Sequence, residues 1–240
     1  MNQIIASGGG TIQLGKTIGS KEILPEKGGK VDILFVIDTT GSMDDKIEAL
    51  LNTCKQFVDE ARKLELDPQF ALVSFGDIKV VGGGDTIDIV VPLTGDIERI
   101  KYGLTNIPRN SGFGNGGESC LEALEKALTI TCRKGTVKVA ILITDDDAHQ
   151  YHISAANMTK ILKQKEYLVY VVATAKEYYK YMASQTGGFW RNVDDTRNLN
   201  DILDMFKNMA KKVAQTATIV HQSAGGSVSK YLQLNPPKDN

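Results

Sequence analysis

Two stretches of this chain, residues 31–37 and residues 137–143, are apolar throughout except for Asp32 and Lys138. A strand with one wet face alternates polar and apolar side chains. A near-continuous apolar run instead fits a strand buried on both faces, as in a parallel sheet covered by helices. The intervening sequence supplies such helices. Residues 42–66 place Ile47, Leu50, Leu51, Cys54, Phe57 and Val58 on one helical side. Residues 97–104, 118–129, 153–165 and 199–213 also read as helices, the last with Leu199, Ile202, Leu203, Phe206 and Met209 in register. Asp67-Pro68 is expected to end the first helix. Residues 70–75, 86–91, 168–173 and 189–193 read as further strands. The short Gly82-Gly83-Gly84 turn makes the first two of these antiparallel neighbours.

Alternating strands and helices predict an α/β fold, doubly wound, with a mostly parallel central sheet, one antiparallel edge strand and helices on both faces. At 240 residues there is room for one such domain. The expected division is an N-terminal arm over 1–30, the domain over 31–215 and a polar C-terminal tail over 216–240. Lys and Arg total 28 against 29 Asp and Glu, a net charge of −1. That balance gives no long-range pull on nucleic acid or an anionic membrane. Three cysteines, an odd and sparse set, do not make a disulfide framework. Cys54 and Cys120 fall in helical patterns as small apolar residues. The first residues carry no signal-peptide pattern and no apolar run reaches membrane-spanning length. The expected setting is the reducing cytoplasm.

Ligands of doubly wound sheets bind beyond the carboxyl ends of the strands, near the switch point. Oxygen donors stand at these places. Asp38-Thr39-Thr40-Gly41-Ser42 follows the first strand, and Thr144-Asp145-Asp146-Asp147 follows the second apolar strand. Between them runs the glycine loop Ser111-Gly112-Phe113-Gly114-Asn115-Gly116-Gly117-Glu118. Two carboxylates and two hydroxyls suit a hard divalent cation. Asp38-x-Thr40-x-Ser42 at a strand end, with Asp145 at the other, resembles the metal-ion-dependent adhesion site of von Willebrand factor A domains. The resemblance covers roughly residues 31–213. It implies Asp38, Thr40, Ser42 and Asp145 as ligands of Mg²⁺ or Mn²⁺, with Ca²⁺ a poorer fit. The family's middle-loop threonine has no clear counterpart; Asn115 or Glu118 falls near its place. The resemblance implies a non-enzymatic adaptor that grips a partner's acidic side chain through the metal. It also implies company such as an ATPase or a kinase or phosphatase system.

Competing readings attach to the same residues. Asp38 alone is also a fitting helix cap, but capping leaves Asp145 unexplained. Asp146 and Asp147 read as solvated rim charges. His149 and His152 have metal-pair spacing but read as ordinary polar surface. Trp190, Tyr178, Tyr179 and Tyr181 fit either core or partner face. Gly10, Gly15, Lys16 and Thr17 match the P-loop pattern. A P-loop must leave a strand and open a helix, whereas Pro25, Gly28 and Gly29 follow too soon here. A metal-dependent hydrolase or nucleotide-binding enzyme is therefore the alternative reading, weakened by the lack of a nucleophile with a placed base.

Overall fold

The computed structural model describes residues 29–79, 84–111, 116–195 and 198–237. The expected arm, the P-loop-like segment at 10–17, Gly82, Gly83 and Asn115 lie outside these. Six strands form one sheet: β1 (Lys30–Asp38), β2 (Asp67–Phe75), β3 (Ile87–Thr94), β4 (Thr136–Ile143), β5 (Tyr167–Ala173) and β6 (Trp190–Asn192). Their order is β3-β2-β1-β4-β5-β6. All neighbours are parallel except β2 and β3. The doubly wound sheet with one antiparallel edge strand is therefore present. Pro92 sits in that edge strand, where a missing N–H leaves no ladder bond unmade.

Strand parity sorts the core into two layers. Ile33, Phe35 and Ile37 of β1 face a cluster with α1 (Asp44–Lys63), α2 (Ile97–Thr105) and α6 (Leu199–Ala224). Leu34 and Val36 face the other, with α3 (Cys120–Ala127), α4 (Ala155–Gln164) and α5 (Glu177–Gln185). Burying both faces of one strand explains its unbroken apolar run. The exception, Asp32, is fully buried and held by Arg133. The guanidinium Nε donates to Asp32 Oδ1 at 2.7 Å and the Arg133 backbone N–H to Oδ2 at 2.7 Å. The same guanidinium bridges to Asp67.

Several local expectations need correction. Helix α1 ends at Lys63, before Asp67-Pro68. Glu65 takes a left-handed φ of 59° in the turn, and Asp67 opens β2. Helix α3 starts at Cys120, because Glu118 forms a parallel bridge with Ala148 instead. Helix α5 was not apparent from its aromatic-rich sequence. The polar tail expected from residue 216 is helical at first. α6 runs to Ala224, burying Ala217 and Val220, and ends on Gly225 at φ 62°, the left-handed cap that glycine adopts without steric cost. A further helix, α7 (Val228–Leu234), follows, and Ser227 and Ser229 at its start donate to the Glu166 carboxylate. Among the described residues no helix is long and apolar enough to cross a membrane.

Candidate metal centre

β1 and β4 are neighbours at the point where strand order reverses, so their carboxyl ends deliver Asp38 and the Thr144-Asp145 pair side by side. A short 3₁₀ turn, Gly41–Met43, then leads into α1 and folds Thr40 and Ser42 back over Asp38. Asp38 Oδ1 accepts from the Thr40 backbone N–H at 2.9 Å and from its hydroxyl at 2.7 Å. Thr144 Oγ1 donates to Asp38 Oδ2 at 2.8 Å. The Thr40 and Ser42 hydroxyl oxygens are 3.4 Å apart, and Ser42 Oγ donates to Asp145 Oδ1 at 3.0 Å. Asp38, Thr40, Ser42 and Asp145 thus form one continuous run of oxygens. Neither Thr40 nor Ser42 acts as a helix cap through its side chain.

Glu118 reaches the same region from the middle loop. Its backbone N–H donates to Asp147 O at 2.7 Å, and its carbonyl accepts from the His149 N–H at 2.9 Å. Its side chain is buried, and Oε2 has no hydrogen-bond partner. Burial pushes the Glu118 carboxyl up to about 9, helped by the charges of Asp38, Asp77, Asp146 and Asp85. Burial also pushes Asp38 up to about 6, with Asp145 adding to the effect and the Thr40 and Thr144 bonds opposing it. An ionised carboxylate without a donor, among other carboxylates, is costly in a dry site. A cation beside them offsets that cost, so the residues present fit a hard divalent ion. The fit is one of carboxylates mixed with hydroxyls. Among the described residues no three His, Cys, Asp or Glu side chains are grouped to hold a metal by themselves.

Other predicted residues fall elsewhere. Asp146 is a brace rather than a solvated charge: its Oδ2 accepts from the Gly117 N–H at 3.1 Å. Asp147 pairs with Lys176 at 2.8 Å. His149 is buried, which corrects its reading as polar surface. Its Nε2 lies 3.2 Å from Asp77 Oδ2, without the direction of a hydrogen bond. Gly117, at φ 139°, lies against this ring; a Cβ there would come 2.9 Å from His149 Cε1. His152 is well apart in its contacts, 3.6 Å from Glu125 at the surface. Tyr179 is core, Tyr181 is exposed and Trp190 donates to Ala173 O.

Sequence reasoning missed Asp77. It stands two residues beyond β2, a third strand end that the carboxyl-end rule would have covered. Ser119 Oγ lies 3.5 Å from Asp77 Oδ1, so a serine, an aspartate and a histidine do meet here. The aspartate stands between the other two, and the buried Ser119 hydroxyl has no imidazole to take its proton.

A doubly wound α/β sheet with an oxygen-donor cluster at its switch point defines the class of this domain. The chain belongs to the von Willebrand factor type A domain family, whose pattern it matches over residues 32–205. These domains typically serve protein interaction and adhesion. The fold is similar to proximal thread matrix protein 1 from the mussel byssus, with TM-score 0.58, 18% identity, and coverage of 80% of this chain and 47% of that one. It is also similar to the pilus adhesin SpaC from Lactobacillus rhamnosus GG in its open conformation. There the TM-score is 0.54 and the identity 16%, over 79% of this chain and 30% of that one. The chain thus matches less than half the length of either structure, and at these identities the likeness is one of fold. A search of curated proteins found no match.

Proposed function

We propose that this domain binds one divalent cation, Mg²⁺ or Mn²⁺, through Asp38, Thr40, Ser42 and Asp145, and uses it to grip an acidic group on a protein partner. Glu118 is the middle-loop residue we assign to the same ion. The observation that carries this reading is the buried, unpartnered Glu118 oxygen facing a set of carboxylates beside the Asp38–Asp145 oxygen run. When bound, the ion supplies a concentrated positive charge with a coordination position open to an anionic oxygen. The chain's own residues do the rest. Thr144 and the Thr40 amide aim Asp38, Ser42 fixes Asp145, and Asp146 pins the middle loop through Gly117.

The domain acts by binding rather than by catalysis in this reading: the Thr40, Ser42 and Thr144 hydroxyls donate to carboxylates assigned to the ion, and none is hydrogen-bonded to an imidazole among the described residues. Burial pushes the Cys54 and Cys120 thiols up to about 11 and about 12, away from nucleophilic thiolate. All three cysteines are free, in keeping with a reducing, cytoplasmic setting. A complex with a larger ATPase or with a kinase or phosphatase system remains part of the proposal.

Calorimetric titration of MgCl₂ and MnCl₂ tests the site. The expected result is about one ion per chain, lost in Asp38→Ala while the thermal unfolding transition persists. Unchanged affinity in that variant rules out the assignment. Partner capture from the same purified chain, run with Mg²⁺ and with chelator, tests the grip. Capture indifferent to chelator leaves the ion a structural role only.

A further inference from the structure

Lys46 is a cation already lodged against this cluster. It lies in the first turn of α1, four residues after Ser42. Its Nζ donates to the Ser42 backbone carbonyl at 3.0 Å and sits 3.5 Å from Asp145 Oδ2. Asp145 therefore has one oxygen on the Ser42 hydroxyl and the other facing the Lys46 ammonium. Both side chains are mostly buried, with 18% and 17% exposure, so solvent screens the contact only in part.

The position is unusual for a lysine. The first turn of a helix carries partial positive charge, and acidic residues are favoured there, as Asp44 and Asp45 show. A cation in that turn works against the helix. Its two contacts, both within the Ser42–Asp145 part of the cluster, supply the compensation.

We propose that Lys46 is a tethered counter-ion that competes with the divalent metal for Asp145 and so sets the affinity of the site. The inference rests on the metal-binding reading above. At Asp145 itself, Lys46 already balances the one negative charge before any ion arrives. The ion must then either displace the ammonium from Asp145 or bear its repulsion at short range. Free metal binds more weakly as a result. A partner carboxylate on the ion offsets that repulsion, so ion and partner each raise the other's affinity by the same factor. The domain would hold its metal firmly only when an acidic partner is present.

Calorimetry of MgCl₂ and MnCl₂ into the full chain, near pH 7.5, compares wild type with Lys46→Gln and Lys46→Met. Glutamine keeps a donor for the Ser42 carbonyl and methionine keeps the aliphatic stem, so one variant covers a folding failure of the other. Both remove the charge and should tighten metal binding on the order of tenfold, the scale of a partly buried ion pair. Lys46→Arg retains the charge and should stay near wild type. Equal or weaker affinity in the neutral variants overturns the role of Lys46 while leaving the metal site standing. Tightening by arginine as large as by glutamine also overturns it, since charge would not be the cause. No binding of either ion to wild type or to the neutral variants removes the metal reading and this inference together.

Discussion

Asp32 and Asp38 sit at opposite ends of β1, on the same face, and both are fully buried. Their surroundings differ in kind. Asp32 meets a guanidinium and a backbone N–H, a closed pair with its charge matched inside the fold. Asp38 meets two hydroxyls and an amide, and its nearest charges are those of other carboxylates. Donors without a cation steady its geometry and leave its charge unmatched. Folding thus matches the charge at the amino end of the strand and not at the carboxyl end. What separates Asp38 from Asp32 is the lack of a cation bonded to its own carboxylate, not burial.

The largest effect should come from breaking the closed end. Arg133→Ala leaves Asp32 buried and uncompensated and also frees Asp67, so about 3 kcal/mol of stability should be lost. Urea denaturation measures it, and a loss below about 1 kcal/mol would show that Asp32 is solvated in practice. Added metal should raise variant and wild type alike and leave the difference between them unchanged, because the lesion lies at the other end of the sheet.

The open end should respond to pH in the opposite sense from an ordinary paired acid. Asp38 is raised from 3.8 to about 6 and Glu118 from 4.5 to about 9, so the folded chain holds these protons more tightly than the unfolded one. Stability of the metal-free protein should therefore fall as pH rises from about 4, first through 6 and then towards 9. For Asp38 alone the drop is about 3 kcal/mol, at about 1.4 kcal/mol per pKa unit. Saturating Mg²⁺ should flatten or reverse this trend, since the ion binds the ionised carboxylates. Denaturation midpoints in chelator and in Mg²⁺ at several pH values check the sign. A metal-free midpoint that climbs with pH across this window contradicts the raised values.

The smallest expected change is the sharpest contrast. Asp38→Asn removes the unmatched charge, a gain near pH 8, but turns one of the two oxygens that accept from Thr40 and Thr144 into a donor, a loss of similar size, so the net change in metal-free stability should stay under about 1 kcal/mol. The same variant should lose the stabilisation that Mg²⁺ gives the wild type. A large loss of metal-free stability would mean that the carboxylate is needed for the fold itself.

The sequence disclosed the two ends unequally. Asp38 was legible because a two-sided buried strand announces its own end and the hydroxyls of Thr40 and Ser42 follow within one turn. Asp145 was legible for the same reason on β4. The partner of Asp32 was not, since Arg133 is about a hundred positions away and only strand pairing brings it near. Glu118 looked like a helix start because its bridge to Ala148 depends on a contact between two loops. Asp77 and His149 were hidden in the same way. The last turns of α6 were misread because Ala214, Ala217 and Ala224, which they bury, are small, so the apolar signal in sequence is faint.

The long α6 also decides how the domain would carry a mechanical load. Near its end, His221 Nε2 lies 2.8 Å from the Lys30 carbonyl, at the amino end of β1, and Gly29 lies directly against the His221 ring. Gly29 and the end of α6 therefore meet at the amino end of β1, remote from Asp38. A pull applied between residue 29 and residue 225 is borne across that short bridge, and its line of force does not run through the carboxyl ends of the strands.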